Sequence, residues 1–324
     1  MVSVAKPSLG RTGIEIGEFI FGAGAIGGVG GALATRGQGI TVQQGLDRLD
    51  EAWDLGIRTI DTADSYAGGE SERAVGHWLG ERRPEGAVVQ TKVGVVAEPG
   101  GRHINLSKSH IERQLAQSIE RLGRVDLYLS HAPDPDTPLA ETLEAFASAQ
   151  DAGLISAFGV SNVDVPLLEA LLTTADRKGL PRPGWIQNRM NLLDRSDEHH
   201  LLPLVAAEGL GYTPYSPLAG GVLSDRYLDG AEVALGSRIA VAGELYYQGA
   251  YTEANLRRVA ALRVLARERA ASVSGLALAW LRAHPTVTAP IVSPSTPGQW
   301  NAVREALQTE IDEEERSQIT ALFT

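Results

Sequence analysis

Four polar side chains stand out because each follows a short apolar run. Asp61 and Tyr66 sit in Asp61-Thr62-Ala63-Asp64-Ser65-Tyr66, after Ile57–Ile60. Lys92 follows Ala87–Thr91, and His131 follows Val125–Ser130. Singly, each has an ordinary structural reading: a helix cap, a packing ring, a solvated charge, a satisfied histidine. Together they make a proton relay. A phenol has a reference pKa of about 10 and is a weak acid at neutral pH. A nearby ammonium stabilises the phenolate and lowers that value. A carboxylate keeps the ammonium charged and oriented. Asp61, Lys92 and Tyr66 thus form a chain that makes a phenol a usable proton donor. His131 adds a hydrogen-bond donor for a substrate oxygen, so a carbonyl held by both would be polarised toward attack. The chain has no cysteine and no Gly-x-Ser-x-Gly elbow to supply a nucleophile. Hydride from a cofactor fills that gap.

These residues need a scaffold that brings successive strand ends to one rim. Short apolar runs alternate with amphipathic stretches along the whole chain. The runs read as buried parallel strands: Phe19–Phe21, Ile57–Ile60, Ala87–Thr91, Val125–Ser130, Ser156–Val160, Gly184–Gln187, Gly211–Tyr215 and Val287–Ile291. The helical patterns are Val42–Leu55, Ser71–Leu79, Ser107–Leu122, Leu139–Ala149, Val165–Thr173, Leu201–Ala207, Asn255–Arg267 and Gly275–Leu281. Ser107 and Thr137-Pro138 read as helix starts. About eight strand–helix units favour a closed (β/α)8 TIM barrel over an open sheet. Chemistry in such a barrel sits at the C-terminal strand ends. Leu9–Ile16 reads as a small N-terminal β-hairpin, and Thr309–Thr324 carries an acidic C-terminal helix start. Ser216–Tyr251 lacks periodicity and reads as a functional loop. No linker appears, so residues 1–324 are expected to form one barrel domain.

Composition narrows the classes. The 29 Lys and Arg against 40 Asp and Glu give a net charge of −11, which disfavours nucleic-acid binding. Absence of cysteine removes disulfides, thiol catalysis and Cys-built metal centres. His199-His200 is the only close histidine pair and no His-x-His follows the first strand, so a metal-dependent hydrolase is disfavoured. No signal peptide and no apolar run of about 20 residues is evident, so a cytoplasmic protein without membrane contact is expected.

The ordered motifs Asp61–Tyr66, Thr91-Lys92, His131-Ala-Pro-Asp134, Gly159-Val-Ser-Asn162, Gln187-Asn188 and Tyr215-Ser-Pro-Leu-Ala-Gly220 resemble the aldo-keto reductase superfamily. Gly69-Glu-Ser-Glu72 and the run before Val125 support this, and the likeness extends from about Leu9 to Val292. It implies a (β/α)8 barrel and NAD(P)H-dependent interconversion of a small carbonyl compound and its alcohol. By resemblance, Asp61, Tyr66, Lys92 and His131 are catalytic, and Ser161, Asn162 and Gln187 touch the nicotinamide carboxamide. Tyr215 stacks on the ring. Ser216, Pro217, Leu218, Gly220, Leu223 and Arg226 lie along the pyrophosphate. Ser293, Ser295 and Gln299 fall at the adenosine end. There the sequence departs from the pattern. Ser295 stands where the family usually has a basic residue for the 2′-phosphate, and Ala302-Val303 replace a polar pair. Arg304 is either a substitute cation or a surface charge. NADPH is the expected cofactor, with NADH open because of Ser295. The resemblance also leaves a different class open: a cofactor-binding accessory subunit with little turnover.

Overall fold

The computed structural model describes residues 7–324. Its frame alternates strands and helices: β1 (Ile20–Gly22), α1 (Val42–Asp54), β2 (Thr59–Asp61), α2 (Glu70–Arg82) and β3 (Val88–Val93). A short pair, β4 (Val95–Glu98) and β5 (Gly101–Ile104), follows. Then come α3 (Lys108–Leu122), β6 (Leu127–Ser130), α4 (Leu139–Asp151), β7 (Ala157–Ser161) and α5 (Val165–Lys178). The second half holds β8 (Trp185–Gln187), α6 (Leu201–Ala207), β9 (Gly211–Tyr212), α7 (Arg238–Tyr246), α8 (Glu253–Glu268) and α9 (Val273–Arg282). It ends with β10 (Ile291–Val292), α10 (Trp300–Gln308) and α11 (Glu313–Ala321).

Eight strands pair in parallel in the order β10-β1-β2-β3-β6-β7-β8-β9. The two ends meet: the Thr288 N–H donates to Tyr212 O (2.8 Å), and the Ile291 N–H donates to Pro214 O (2.9 Å). The expected (β/α)8 barrel is therefore present. Period-two alternation divides its core into two layers. Ile20, Leu127, Leu129, Trp185 and Ile291 fill the interior with Leu9. Their neighbours Phe21, Tyr128 and Ile186 pack outward under the helices. The helices start where capping chemistry allows: Thr41 and Gln44 form a reciprocal capping box on α1, and Asp164 caps α5.

The N-terminal hairpin pairs Ser8 with Glu15 in antiparallel fashion around a 3-10 turn, Gly10–Thr12. It plugs the barrel floor so closely that a Cβ on Gly10 would lie 2.4 Å from Gly211 N. Several details differ from the sequence expectation. β9 stops at Tyr212 rather than residue 215, since Pro214 has no N–H to give the ladder. The 216–251 segment contains a helix, α7, whose periodicity is broken by a non-helical Ala242 (φ −141°). Ser107 does not cap α3 with its side chain; its Oγ donates to Asn105 Oδ1 instead. Thr137 likewise donates to Asp134, leaving Pro138 at the start of α4. Among the described residues no helix is long and apolar enough to cross a membrane.

Candidate active site

Gln90 and Lys92 are two residues apart on β3, so both side chains point into the barrel. β3 pairs with β2, whose last residue is Asp61. That register puts a carboxylate against an ammonium in a nearly dry place: Lys92 is 1% exposed and Asp61 3%. Lys92 Nζ donates to Asp61 Oδ2 (2.7 Å), to Thr62 O (2.8 Å) and to Tyr66 OH (3.2 Å). Asp61 Oδ1 accepts from the amides of Gln90 and Gln187. Five donor–acceptor contacts thus fix one carboxylate and one ammonium, as a buried ion pair requires. Tyr66 leaves β2 through a turn that brings its ring back over Lys92, with Nζ 4.8 Å from the ring centre. His131 follows β6, and its ring meets that of Tyr66 edge to face at 5.4 Å.

Burial decides the electrostatics. It pushes the Tyr66 phenol above its ordinary range, although Lys92 pulls the other way; Asp61 adds to the rise. The lowered phenol that the sequence suggested is therefore not the resting state. Burial also works against the Lys92 ammonium, but Asp61 and Tyr66 outweigh it and the net direction is up. Lys92 stays charged. Burial holds His131 well below its usual value, and the Lys92 and Arg102 charges add to this. The imidazole is neutral, and its Nδ1 is buried without a partner among the described residues.

A second group lies along the next strand ends. Ser161 ends β7 and donates to Gln187 O at the end of β8 (2.6 Å). Asn162 Nδ2 donates to His131 O (2.8 Å), and its Oδ1 accepts from Tyr215 OH (2.7 Å). Asn162 takes a left-handed backbone (φ 61°), which asparagine tolerates better than most residues. The Tyr215 ring lies 5.8 Å from the Arg189 guanidinium.

These groups line one cavity of about 990 Å³ that runs from His131 to Val303. Of the residues expected from sequence, Asp61, Tyr66, His131, Ser161, Asn162, Gln187 and Tyr215 lie on its wall. So do Ser216, Pro217, Leu218, Gly220, Arg226, Ser293, Ser295 and Gln299. Lys92 lies behind the wall and reaches the cavity through Tyr66. Leu223 does not line it: its side chain is fully buried in the outer core. Its backbone carbonyl accepts from Ser274 Oγ on α9, and its side chain is withdrawn from solvent. At the far end Gln299 Oε1 accepts from Ser295 N (2.6 Å) and Thr296 N (3.3 Å), so its side chain is committed to the turn. Arg304 donates to Asn301 and is not on the wall; it is an exposed surface charge. The sequence reading missed Gln90, Arg189, Arg238 and the β4–β5 pair, all of which shape the site. Gln90 was legible from its two-residue spacing to Lys92. The Pro99-Gly100 turn was a signal for the hairpin.

Tyr66 and His131 can offer two hydrogen-bonding groups to one oxygen, with a charge reservoir behind them and an elongated cleft alongside. Comparison with known proteins fits that arrangement. Residues 19–323 match the Aldo/keto reductase family, and the chain belongs to that family of oxidoreductases. It is 35% identical over 305 residues to a putative voltage-gated potassium channel subunit beta from Schizosaccharomyces pombe, covering 90% of this chain and 84% of that protein. It is 35% identical over 234 residues to an NADH-specific methylglyoxal reductase from Escherichia coli, covering 68% and 69%. The glycerol dehydrogenase from Gluconobacter oxydans has a similar structure, with TM-score 0.82, 25% identity, and 99% and 95% coverage.

Proposed function

We propose that this protein interconverts an aldehyde or ketone and its alcohol, with Tyr66 as general acid and base. The contact that carries the reading is Lys92 Nζ, bound at once to Asp61 and to Tyr66 OH on the wall of the cavity. In reduction the carbonyl oxygen sits between Tyr66 and neutral His131. A C–H bond forms at the carbonyl carbon, the C=O π pair moves to oxygen, and that oxygen takes the Tyr66 proton. The phenolate left behind lies 3.2 Å from the Lys92 ammonium, which stabilises it. Oxidation runs the same steps backward. A nicotinamide dinucleotide supplies or accepts the hydride when bound.

The residues present fit such a group. Tyr215 offers a flat ring, Gln187 Oε1 accepts no hydrogen bond among the described residues, and Gly220 brings backbone to the wall. Arg226 and Arg238 put positive charge in a chain of net charge −11. The adenosine end holds serine and glutamine but no Lys or Arg from residues 293–303. NADPH and NADH should therefore bind with affinities within about tenfold, since a charge-assisted contact worth about 1.5–3 kcal/mol is missing. Titration of both cofactors tests this, and Ser295→Arg should shift the ratio toward NADPH. Tyr66→Phe tests the reaction itself. Turnover should fall by about a thousandfold while cofactor binding persists; unchanged turnover would sink the assignment. The likeness to a channel subunit beta supports a second reading, a cofactor-binding accessory protein. Tight dinucleotide binding with no reduction across a panel of carbonyls would favour it.

A further inference from the structure

The β4–β5 hairpin leaves the top of β3 and stands at the mouth of the cavity. Its register pairs Val95 with Ile104 and Ala97 with Arg102. Side chains alternate across a strand, so Val95, Ala97, Arg102 and Ile104 share one face, and Val96 and His103 share the other. The hairpin residues that line the cavity are Val95, Arg102 and Ile104, all from the first face. Arg102 is thus aimed at the cavity by the pleat of the hairpin. It has no ion pair or hydrogen bond among the described residues, whereas the nearby Lys92 is neutralised by Asp61. Arg102 is therefore an uncompensated cation on the cavity wall.

It comes from a different part of the ring than the positive charge already assigned. Around the ring, β3 and β9 lie four strands apart. The segment carrying Arg226 and Arg238 leaves from β9 and crosses to the first loop, where Tyr246 at the end of α7 lies against Gly30. Arg102 instead shares its side with Tyr66 and His131, and its charge helps to keep His131 neutral. The cavity wall also carries small apolar side chains: Ala25, Val29, Val95 and Ile104.

We propose that Arg102 selects carbonyl substrates that carry a carboxylate, joined to the reacting carbon by a short apolar spacer. The planar guanidinium matches a carboxylate in a two-pronged contact, and the apolar wall takes the spacer. This rests on the carbonyl-reductase reading of the site and adds the substrate class to it.

The test uses 4-carboxybenzaldehyde and its neutral methyl ester. With the cofactor-saturated protein, kcat/KM for the acid should exceed that for the ester. Arg102→Gln should lower the acid-to-ester ratio about fivefold, with the loss carried in KM; Arg102→Lys should recover part of it. An exposed charge sets the size at the modest end. Raising salt from 50 to 500 mM should erode the ratio in the parent protein alone. A ratio that Arg102→Gln leaves unchanged overturns the inference while leaving carbonyl reduction intact. Binding of the acid to Tyr66→Phe, followed by calorimetry, reads the same contact without turnover. There the added Arg102→Gln change should weaken binding about fivefold. Equal binding overturns the inference even if no carbonyl is reduced.

Discussion

Replacing Lys92 by methionine separates what the buried ion pair does for stability from what it does for chemistry. Methionine fills a similar volume but carries no charge and no donor. Asp61 Oδ2 and Thr62 O would lose their 2.7 Å and 2.8 Å contacts, while Asp61 Oδ1 keeps its two amides. Breaking a buried pair from one side costs about 3–5 kcal/mol, and the remaining amides argue for about 3 kcal/mol here. Unfolding entropy of about 2.1 cal/mol/K per residue gives about 0.7 kcal/mol/K for this chain, so Tm should fall by about 4 °C. The pair Asp61→Asn with Lys92→Met removes both charges and should regain most of that loss. Turnover should not return. Tyr66 would lack its ammonium in both variants, and kcat should stay at least about a hundredfold down. Calorimetry and steady-state kinetics on the three proteins decide it. A double variant as unstable as the single one would refute the unpaired-charge argument. A Lys92→Met protein with kcat within threefold of the parent would refute the role of Lys92 in tuning Tyr66.

Three further outcomes follow from the electrostatics. His131 is held below its ordinary value, so the unfolded chain takes up a proton at about pH 6.5 when the folded one does not. Its contribution to stability is complete above that pH and is lost as pH falls; the slope of Tm between pH 7 and 5 should flatten in His131→Asn. Asp64 runs the other way. Burial and the Glu72 carboxylate push it well above the usual carboxylate range, and its Oδ1 has no partner among the described residues. Its penalty grows as pH rises above about 4, so Asp64→Asn should raise Tm at pH 7 and leave it unchanged near pH 3. In kinetics, the raised Tyr66 keeps its proton through the neutral range. Reductive kcat should hold level from pH 7 to 9, while oxidative kcat, which needs the phenolate, should climb with pH. A reductive kcat that falls in that window would assign the donor to another group.

The barrel was legible because parallel strands are buried on both faces and write themselves as short apolar runs. Their ends were not. Lys92 reads as following its strand but lies inside β3, because hydrogen-bond register rather than hydrophobicity ends a ladder. Asp61, Tyr66, Lys92 and His131 were picked out by type and position alone, and the fold brings all four together. The walls were harder. α7 is broken at Ala242, so no helical period survives in its sequence. The β4–β5 pair is two short strands around Pro99-Gly100, with little apolar signal of its own. Leu223, carried over with its motif, has its side chain in the outer core rather than on the cavity wall.

The buried pair makes little sense as a device for stability. Apolar residues of similar volume would often serve as well or better. Its value lies in what dryness does to the Lys92 charge. The same lack of water that raises Tyr66 in the resting protein strengthens the attraction between ammonium and phenolate once the proton has left. On the proposed reaction, the site would hold its proton until an acceptor is in place and then stabilise the base that forms. That is the behaviour wanted of an acid that must protonate a nascent alkoxide and not bulk water. It also explains why Gln90 and Gln187 crowd onto Asp61 Oδ1: they hold the carboxylate so that its other oxygen and the ammonium stay aligned with Tyr66. Loosening either amide should disturb the pH profile of turnover before it disturbs the fold.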